Sequence, residues 1–160
     1  LVGRKVSGMS SARPDVELSV ALDMDAMPGH YIRRLQQVAV RLFSEEVGSE
    51  LTPVQFAALV AIAQRSGLGQ ADLAAQIGYD RATIGGVIDR LEAKGWVSRT
   101  PSREDRRQNI VAITPAGEQA MAQATAAVQR VQTRFLSPLD SDEQQVFERL
   151  CRKLLGYHLG

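Results

Sequence analysis

Hydrophobic residues recur at intervals of three and four between residues 28 and 43, the spacing of a helix with one buried stripe. Pro28 suits the first turn of this helix, and Gly48 ends the pattern. A second helix is predicted from Thr52, as N-cap, and Pro53, as first helical residue, to about residue 66. The patterned part of the chain therefore begins with two helices.

Between residues 70 and 113 the pattern predicts a succession of short elements. A short helix over 70–77 ends at Gly78, and a further helix capped by Asp80 ends at Gly95. Residues 96–99 and the apolar residues 110–113 are predicted to be paired strands. Two short helices followed by a β-hairpin are typical of a winged helix-turn-helix, whose second helix enters the major groove of DNA.

Two long helices are predicted after the hairpin. Thr114, Pro115 and Glu118 have the residue types of a capping box that starts the first of them, which runs to about residue 137. The second occupies residues 141–156, and both have apolar stripes, as does the helix over 28–47. A central module this small cannot cover all three stripes, so we expect a second copy of the chain to cover them.

The pattern thus predicts a mainly α-helical chain with a small β-hairpin, an α+β fold of one lobe and one helical layer. Residues 51–114 form the winged helix-turn-helix lobe, and residues 28–50 and 115–160 form the helical dimerisation region. Residues 1–27 are polar with no sustained period, so we expect a flexible arm there, with Met9 as the natural start and residues 1–8 added for expression.

Composition excludes several classes of protein. The net charge of the 160 residues is +1, which argues against a histone-like coat of positive charge. Between Lys94 and Arg107, however, five basic residues stand against two acidic ones, a local net charge of +3 that suits phosphate binding. No apolar run approaches the ~20 residues of a membrane span, and no secretion signal is evident, so we expect a cytoplasmic protein without a membrane partner.

Candidate DNA-contacting residues lie first on the second helix of the motif. Arg81 and Thr83 can bond to base edges or to phosphate near the N-terminal end of that helix. Gly85 and Gly86 are unusual inside a helix. Either bare backbone approaches the DNA closely there, or the helix packs tightly on a neighbour. Gln70, at the start of the preceding helix, completes the candidates on the helices.

The turn between the two strands carries the other DNA-contacting candidates. Alone, such a charge run would be an ordinary solvated face. After a helix-turn-helix it is typical of a wing whose arginines contact phosphate and the minor groove. Arg103, Arg106 and Arg107 are the candidate arginines, and Asp105, which phosphate would repel, is expected to orient one of them.

Several motifs resemble the MarR family of bacterial regulators. They are Leu51-Thr52-x-x-Gln55-Phe56-x-x-Leu59, the Leu73-Ala74 pair, Asp89-Arg90-Leu91-Glu92-x-Lys94-Gly95, and Asp105-x-Arg107 followed by Thr114-x-x-Gly117. The resemblance spans about residues 30–155 and implies an intertwined homodimer with two winged lobes, usually a repressor. Such proteins bind palindromic operators in double-stranded DNA and leave them when a small phenolic or aromatic acid binds.

By the same match Arg107 is the minor-groove arginine and Asp105 its support. The chain departs from the family at Gly85-Gly86, where many relatives carry polar or basic side chains.

The first helix begins with His30-Tyr31-Ile32-Arg33-Arg34, and its sequence resembles a subgroup that controls the breakdown of aromatic or heteroaromatic acids, including nicotinate-type compounds. An arginine can clamp a carboxylate with two hydrogen bonds, and His30 or Tyr31 could meet a ring hydroxyl or nitrogen. We therefore predict an aromatic acid effector at His30, Tyr31 and Arg34. The alternative is that these are ordinary surface and capping residues.

Other functions stay open at this point. Cys151, the one cysteine, could make the protein a redox-switched repressor, although its apolar-spaced helix favours an inert buried thiol. The winged helix could also be a protein-interaction module. Catalysis is poorly supported, because His30 and His158 stand at opposite ends of the chain without metal-ligand or triad spacing. We expect no cofactor and no metal.

Overall fold

In the computed structural model, six helices and three short strands follow one another, and residues 26–65, 67–102 and 109–159 are described. The predictions for the wing residues 103, 105, 106 and 107, and for residues 1–25, lie outside this range. The elements are α1 Pro28–Val47, α2 Pro53–Gln64, β1 Leu68–Gly69, α3 Gln70–Ile77, α4 Arg81–Ala93, β2 Val97–Pro101, β3 Asn109–Ile113, α5 Pro115–Leu136 and α6 Ser141–Leu159. The predicted mainly helical fold with a small sheet is confirmed.

The sheet has one more strand than the predicted hairpin. β2 and β3 pair antiparallel, with Val97 opposite Ile113 at one end and Pro101 opposite Asn109 at the other. β1 pairs with the other edge of β3 and is only two residues long. Two residues are too few to show an alternating pattern, so the sequence contained no signal for β1.

One apolar core packs the elements of the lobe together, and the buried face of α4 belongs to it. Each fully buried Leu or Ile contributes about 1.5–3 kcal/mol relative to an exposed side chain. The largest fully buried side chains come from every element of the lobe except β2. They are Leu59, Ile62, Leu68, Leu73, Ile84, Ile88, Leu91 and Val111. Because α3, α4 and the sheet share this core, the helix-turn-helix and the hairpin form one packed unit.

A second, smaller cluster joins α1 to α5, with Leu42, Phe43 and Val131 buried. Beside it, Glu46 accepts hydrogen bonds from Arg130 Nε at 2.8 Å and from Arg134 Nη1 at 2.7 Å, and Glu45 accepts one from Arg134 Nη2 at 3.0 Å. Arg130 and then Arg134 lower the pKa of Glu46. The two ion pairs of Glu46 are therefore formed at neutral pH, and they are lost as the pH falls through that lowered pKa.

The helices outside the lobe leave apolar side chains in solvent. On α1 the exposed fractions run from 37% at Val38 to 59% at Ile32, and on α6 from 45% at Leu150 to 83% at Tyr157. Monomeric proteins rarely expose contiguous apolar patches of this kind. The exposed side chains are Tyr31, Ile32, Leu35, Val38 and Val40 on α1, and Val146, Leu150, Leu154, Leu155 and Tyr157 on α6. The exposure of these side chains is therefore consistent with the prediction that a second copy of the chain covers them.

The junction between the hairpin and α5 depends on Thr114 and Gly117. Thr114 donates its N–H to Trp96 O at 3.0 Å and its hydroxyl to Gly95 O at 2.6 Å, and it accepts from Gly117 N at 3.1 Å. A Cβ at Gly117 would lie 2.0 Å from Trp96 O. Only half of the predicted capping box forms, because the residue three positions after Thr114 is this glycine and Glu118 lies one position too far.

Candidate DNA interface and ligand cleft

The N-terminal end of α4 is held by Asp80 and exposes the predicted base-contacting residues. Asp80 accepts from Thr83 N at 2.8 Å and from the Thr83 hydroxyl at 2.5 Å, and these two bonds lower the pKa of Asp80. The Thr83 hydroxyl hydrogen is thereby engaged, which leaves its oxygen as an acceptor for a base amino group. Arg81 is exposed beside it.

Gln70 and Gly85 form a packing contact between α3 and α4. The Gln70 amide donates to Arg81 O at 3.1 Å, and a Cβ at Gly85 would lie 2.7 Å from Gln70 Nε2. For Gly85, the geometry favours tight packing over close approach to DNA. Gln70, which sequence analysis placed among the DNA-contacting residues, uses one amide hydrogen to hold the start of α4, and its contact with DNA stays a prediction.

Gly86 has a different neighbour, which sequence analysis missed. Arg90 Nε donates to Gly86 O at 2.9 Å, and Arg90 Nη2 lies 3.4 Å from the position of a Cβ on Gly86. Arg90 is exposed and follows Gly86 by one helical turn, the spacing at which side chains on one helix meet. The four-residue spacing of Gly86 and Arg90 was the signal in the sequence from which this contact could have been predicted.

The local positive charge counted from the sequence is partly neutralised within the lobe. Arg99 donates to Asp89 and, at 2.8 Å, to Glu92 Oε2. These carboxylates, Asp89 first, raise the pKa of Arg99, and the ion pairs join α4 to β2. Lys94 Nζ donates to Glu50 O and lies 4.6 Å from the centre of the Trp96 ring. Both cations therefore already have partners within the lobe.

The predicted effector residues lie in the first two turns of α1. The His30 and Tyr31 ring centres are 6.2 Å apart at an interplanar angle of 66°, and Arg34 is exposed one turn later. Phe43 follows His30 by 13 residues, about 20 Å along the helix. Within one chain these residues are therefore distant from the cleft that the structure reveals at the other end of α1.

That cleft has a volume of about 400 Å³ and opens between α1, α2, α3 and α5. Phe43 and Phe56 form part of its wall, with ring centres 6.3 Å apart. Of the described residues, none that lines the cleft is charged; its polar groups are the amides of Gln64, Gln76 and Gln132. A second hollow of about 380 Å³ shares Phe56, Val60 and Gln64 with it and adds Met121 and Thr125. Sequence reasoning missed this cleft because four separate helices build it.

The described part of the chain offers little for chemistry other than DNA and ligand binding. There, no cluster of His, Cys, Asp and Glu has the geometry to hold a metal ion. None of the helices described is both long and apolar enough to span a bilayer. Cys151 is half-buried in α6.

The chain is similar to known transcriptional regulators in sequence and in structure. The model of the MarR family matches residues 51–108. Transcriptional regulator HosA of Escherichia coli is 32% identical over 127 residues, which cover 79% of this chain and 93% of HosA.

Solved structures of transcriptional regulators resemble the whole described fold. PcaV of Streptomyces coelicolor, in complex with its natural ligand, has a TM-score of 0.80 and 34% identity, covering 85% of this chain and 96% of PcaV. Bordetella bronchiseptica BpsR, whose DNA binding is regulated by 6-hydroxynicotinic acid, has a TM-score of 0.79 and 27% identity, covering 82% and 95%. The transcriptional repressor CouR, bound to a 23-mer DNA duplex, has a TM-score of 0.76 and 27% identity, covering 82% and 94%.

Proposed function

The chain belongs to the MarR family of transcriptional regulators, and from this premise we propose that it is a homodimeric repressor released from a palindromic operator by a small aromatic carboxylate. The observation that supports the proposal most directly is the exposed N-terminal end of α4, packed in one unit with the hairpin. This arrangement suits insertion of α4 into a major groove.

In this proposal residues 51–114 are the DNA-binding lobe, and its residues have distinct roles. Arg81 bonds to a base edge or phosphate, and Thr83 accepts a hydrogen bond from a base amino group. β2 and β3 carry the wing, where Arg103 and Arg106 contact phosphate and Arg107, supported by Asp105, enters the minor groove. The complex of CouR with a DNA duplex supports this assignment, since its fold is similar.

Arg107→Ala is expected to weaken operator binding by about 1–3 kcal/mol, because a narrow minor groove concentrates the negative potential that attracts an arginine. Arg103→Ala is the matched control. As a phosphate contact it should weaken binding to operator and unrelated DNA alike and lower the salt dependence of both. Fluorescence anisotropy with the two duplexes at several salt concentrations measures these effects. Equal operator affinity of the wild-type protein and Arg107→Ala would show that the wing is assigned wrongly.

The proposed effector is an acid because the start of α1 carries an exposed guanidinium, at Arg34, next to an imidazole and a phenol. We place the carboxylate on Arg34 and the ring on apolar side chains of the dimer layer, near His30 and Tyr31. The cleft has no charged residue in its lining and therefore suits an aromatic ring. The carboxylate of an acid bound there would have to pair with a positively charged side chain of the second copy of the chain. The regulation of BpsR by 6-hydroxynicotinic acid supports this class of ligand.

Arg34→Ala is expected to abolish detectable binding of nicotinate or benzoate, whereas Arg33→Ala, at a neighbouring residue that is also exposed, should retain it. For the wild-type protein, operator DNA should weaken binding of the acid by the same factor as the acid weakens operator binding, typically 5–150-fold. Calorimetric titration of each acid with and without operator measures both effects. Unchanged binding by Arg34→Ala would refute the site, and identical affinities in the two titrations would refute the switch.

A further inference from the structure

The outer face of α4 carries few long side chains, although a helix that contacts DNA normally needs them. Opposite its buried stripe lie Ala82, Gly86 and Ala93, together with Asp89, whose carboxylate binds Arg99. Long polar side chains therefore remain only at the flanks of this face. Of these, Arg90 is the one in contact with Gly86.

Arg90 folds back along α4, as long helical side chains do, and covers the backbone of Gly86. Its Nε–H donates to Gly86 O at 2.9 Å. The neighbouring carboxylates Asp89 and Glu92 both bind Arg99 instead, and within the described residues no carboxylate lies at ion-pairing distance from Arg90. The guanidinium is thus oriented by a carbonyl but keeps its charge and most of its donors for another partner.

We propose that Gly86 is a positioning residue for Arg90, and that Arg90 held in this way binds a phosphate of the DNA backbone. The inference rests on the proposed function, in which α4 lies in the major groove. A guanidinium on the flank of such a helix lies on the side of the groove wall, and it can bond two phosphate oxygens at once. Phosphate contacts set the register of the helix and carry no sequence information. Base contacts on this helix then fall to Arg81 and Thr83.

A small residue is required at position 86 in this arrangement, because the Arg90 guanidinium lies close to the space above the Cα. A Cβ there would lie 3.4 Å from Arg90 Nη2, which is a close but ordinary contact. Alanine is therefore tolerated. A longer side chain adds atoms next to the space that the guanidinium occupies, and we expect Arg90 then to leave Gly86 O.

The test is a series of variants assayed for DNA affinity against salt concentration, with the operator and a scrambled duplex. Arg90→Ala should weaken binding to both duplexes about tenfold, as expected for a charge-assisted hydrogen bond. It should also lower the slope of log affinity against log salt by about 0.9, the value for one phosphate contact. Gly86→Leu and Gly86→Gln should reproduce both changes. Gly86→Ala should keep the affinity and slope of the wild-type protein and raise the melting temperature, because alanine favours the helix.

The double variant Gly86→Leu/Arg90→Ala separates a role through Arg90 from direct contact of Gly86 with DNA. We expect the double variant to bind DNA at least as tightly as Arg90→Ala, because the leucine side chain then occupies the space that the Arg90 side chain has vacated. A further loss in the double variant, or an unchanged salt slope in Arg90→Ala, would overturn the inference. The proposed function has its own readout: if the wild-type protein binds the operator and Arg107→Ala weakens it, failure of the Gly86 series refutes this inference alone.

Discussion

Gly117→Ala is expected to destabilise the protein by about 3 kcal/mol, although alanine is the better helix former by about 1 kcal/mol. The added Cβ would lie 2.0 Å from Trp96 O and 2.9 Å from Ile113 Cγ1. The first of these atoms belongs to backbone and is held in place by the N–H of Thr114. Relief therefore requires α5 to move away from the hairpin as a whole. Urea unfolding followed by circular dichroism measures the loss.

Gly29→Ala provides the matched control. Gly29 also lies in the first turn of a helix that begins with proline, and a Cβ there would meet no atom within 4 Å. This variant should be as stable as the wild-type protein or slightly more stable. Equal urea midpoints for Gly117→Ala and Gly29→Ala would show that α5 does not approach the hairpin as closely as described.

Leu150→Glu combined with Leu154→Glu is expected to convert a dimer into monomers and to lower operator affinity by about 10²–10⁴, the usual gain from joining two binding modules. The two leucines are 45% and 55% exposed and lie one turn apart on α6. In the proposed dimer they are buried against the second copy, where an unpaired carboxylate is strongly unfavourable. Sedimentation equilibrium gives the mass, and a duplex with two half-sites about 10 bp apart gives the affinity.

Gln145→Glu is the control for added charge on the same helix, because residue 145 is exposed on the other side of α6. It should remain dimeric and bind the operator as tightly as the wild-type protein. A wild-type protein that is a well-folded monomer at micromolar concentration would contradict the dimer outright. So would a double variant that stays dimeric, since the apolar face of α6 would then have no role in assembly.

Where helices begin and end could be predicted from the sequence, because the interactions that decide it are local. Thr52 caps α2 by accepting from Gln55 N, and Asp80 caps α4 by accepting from Thr83 N, each three residues along the chain. Gly78 and Gly95 follow the ends of α3 and α4 with positive φ, which glycine adopts without strain. Such signals together with apolar periodicity determine the order of elements, and the order determines the fold class; the family followed from the residue motifs.

The candidate site depended more on contacts between residues far apart in the chain. Gln70 and Gly85 could both be singled out from the sequence, but only the structure shows that Gln70 Nε2 would lie 2.7 Å from a Cβ on Gly85, which indicates packing between α3 and α4. The charge count around Arg99 was correct as a count. Part of the counted positive charge is nevertheless neutralised, because Asp89 and Glu92, from the preceding helix, lie close enough to bind the Arg99 guanidinium. The wing, the effector residues and the dimer stay predictions.

By itself the sequence determined the helices, their caps, the order that defines a winged helix-turn-helix and the family. It could do so because turns, caps and amphipathic stripes arise between residues within about four positions of one another. Tertiary structure alone decided the pairing of β1 with β3, the apolar cleft, the hold of Gly86 on Arg90 and the approach of α5 to Trp96. Apart from the Gly86–Arg90 contact, these depend on how elements distant in sequence pack. Even that contact requires one particular rotamer of Arg90, which the sequence leaves open. In the structure with this rotamer, Asp89 and Glu92 are already paired with Arg99.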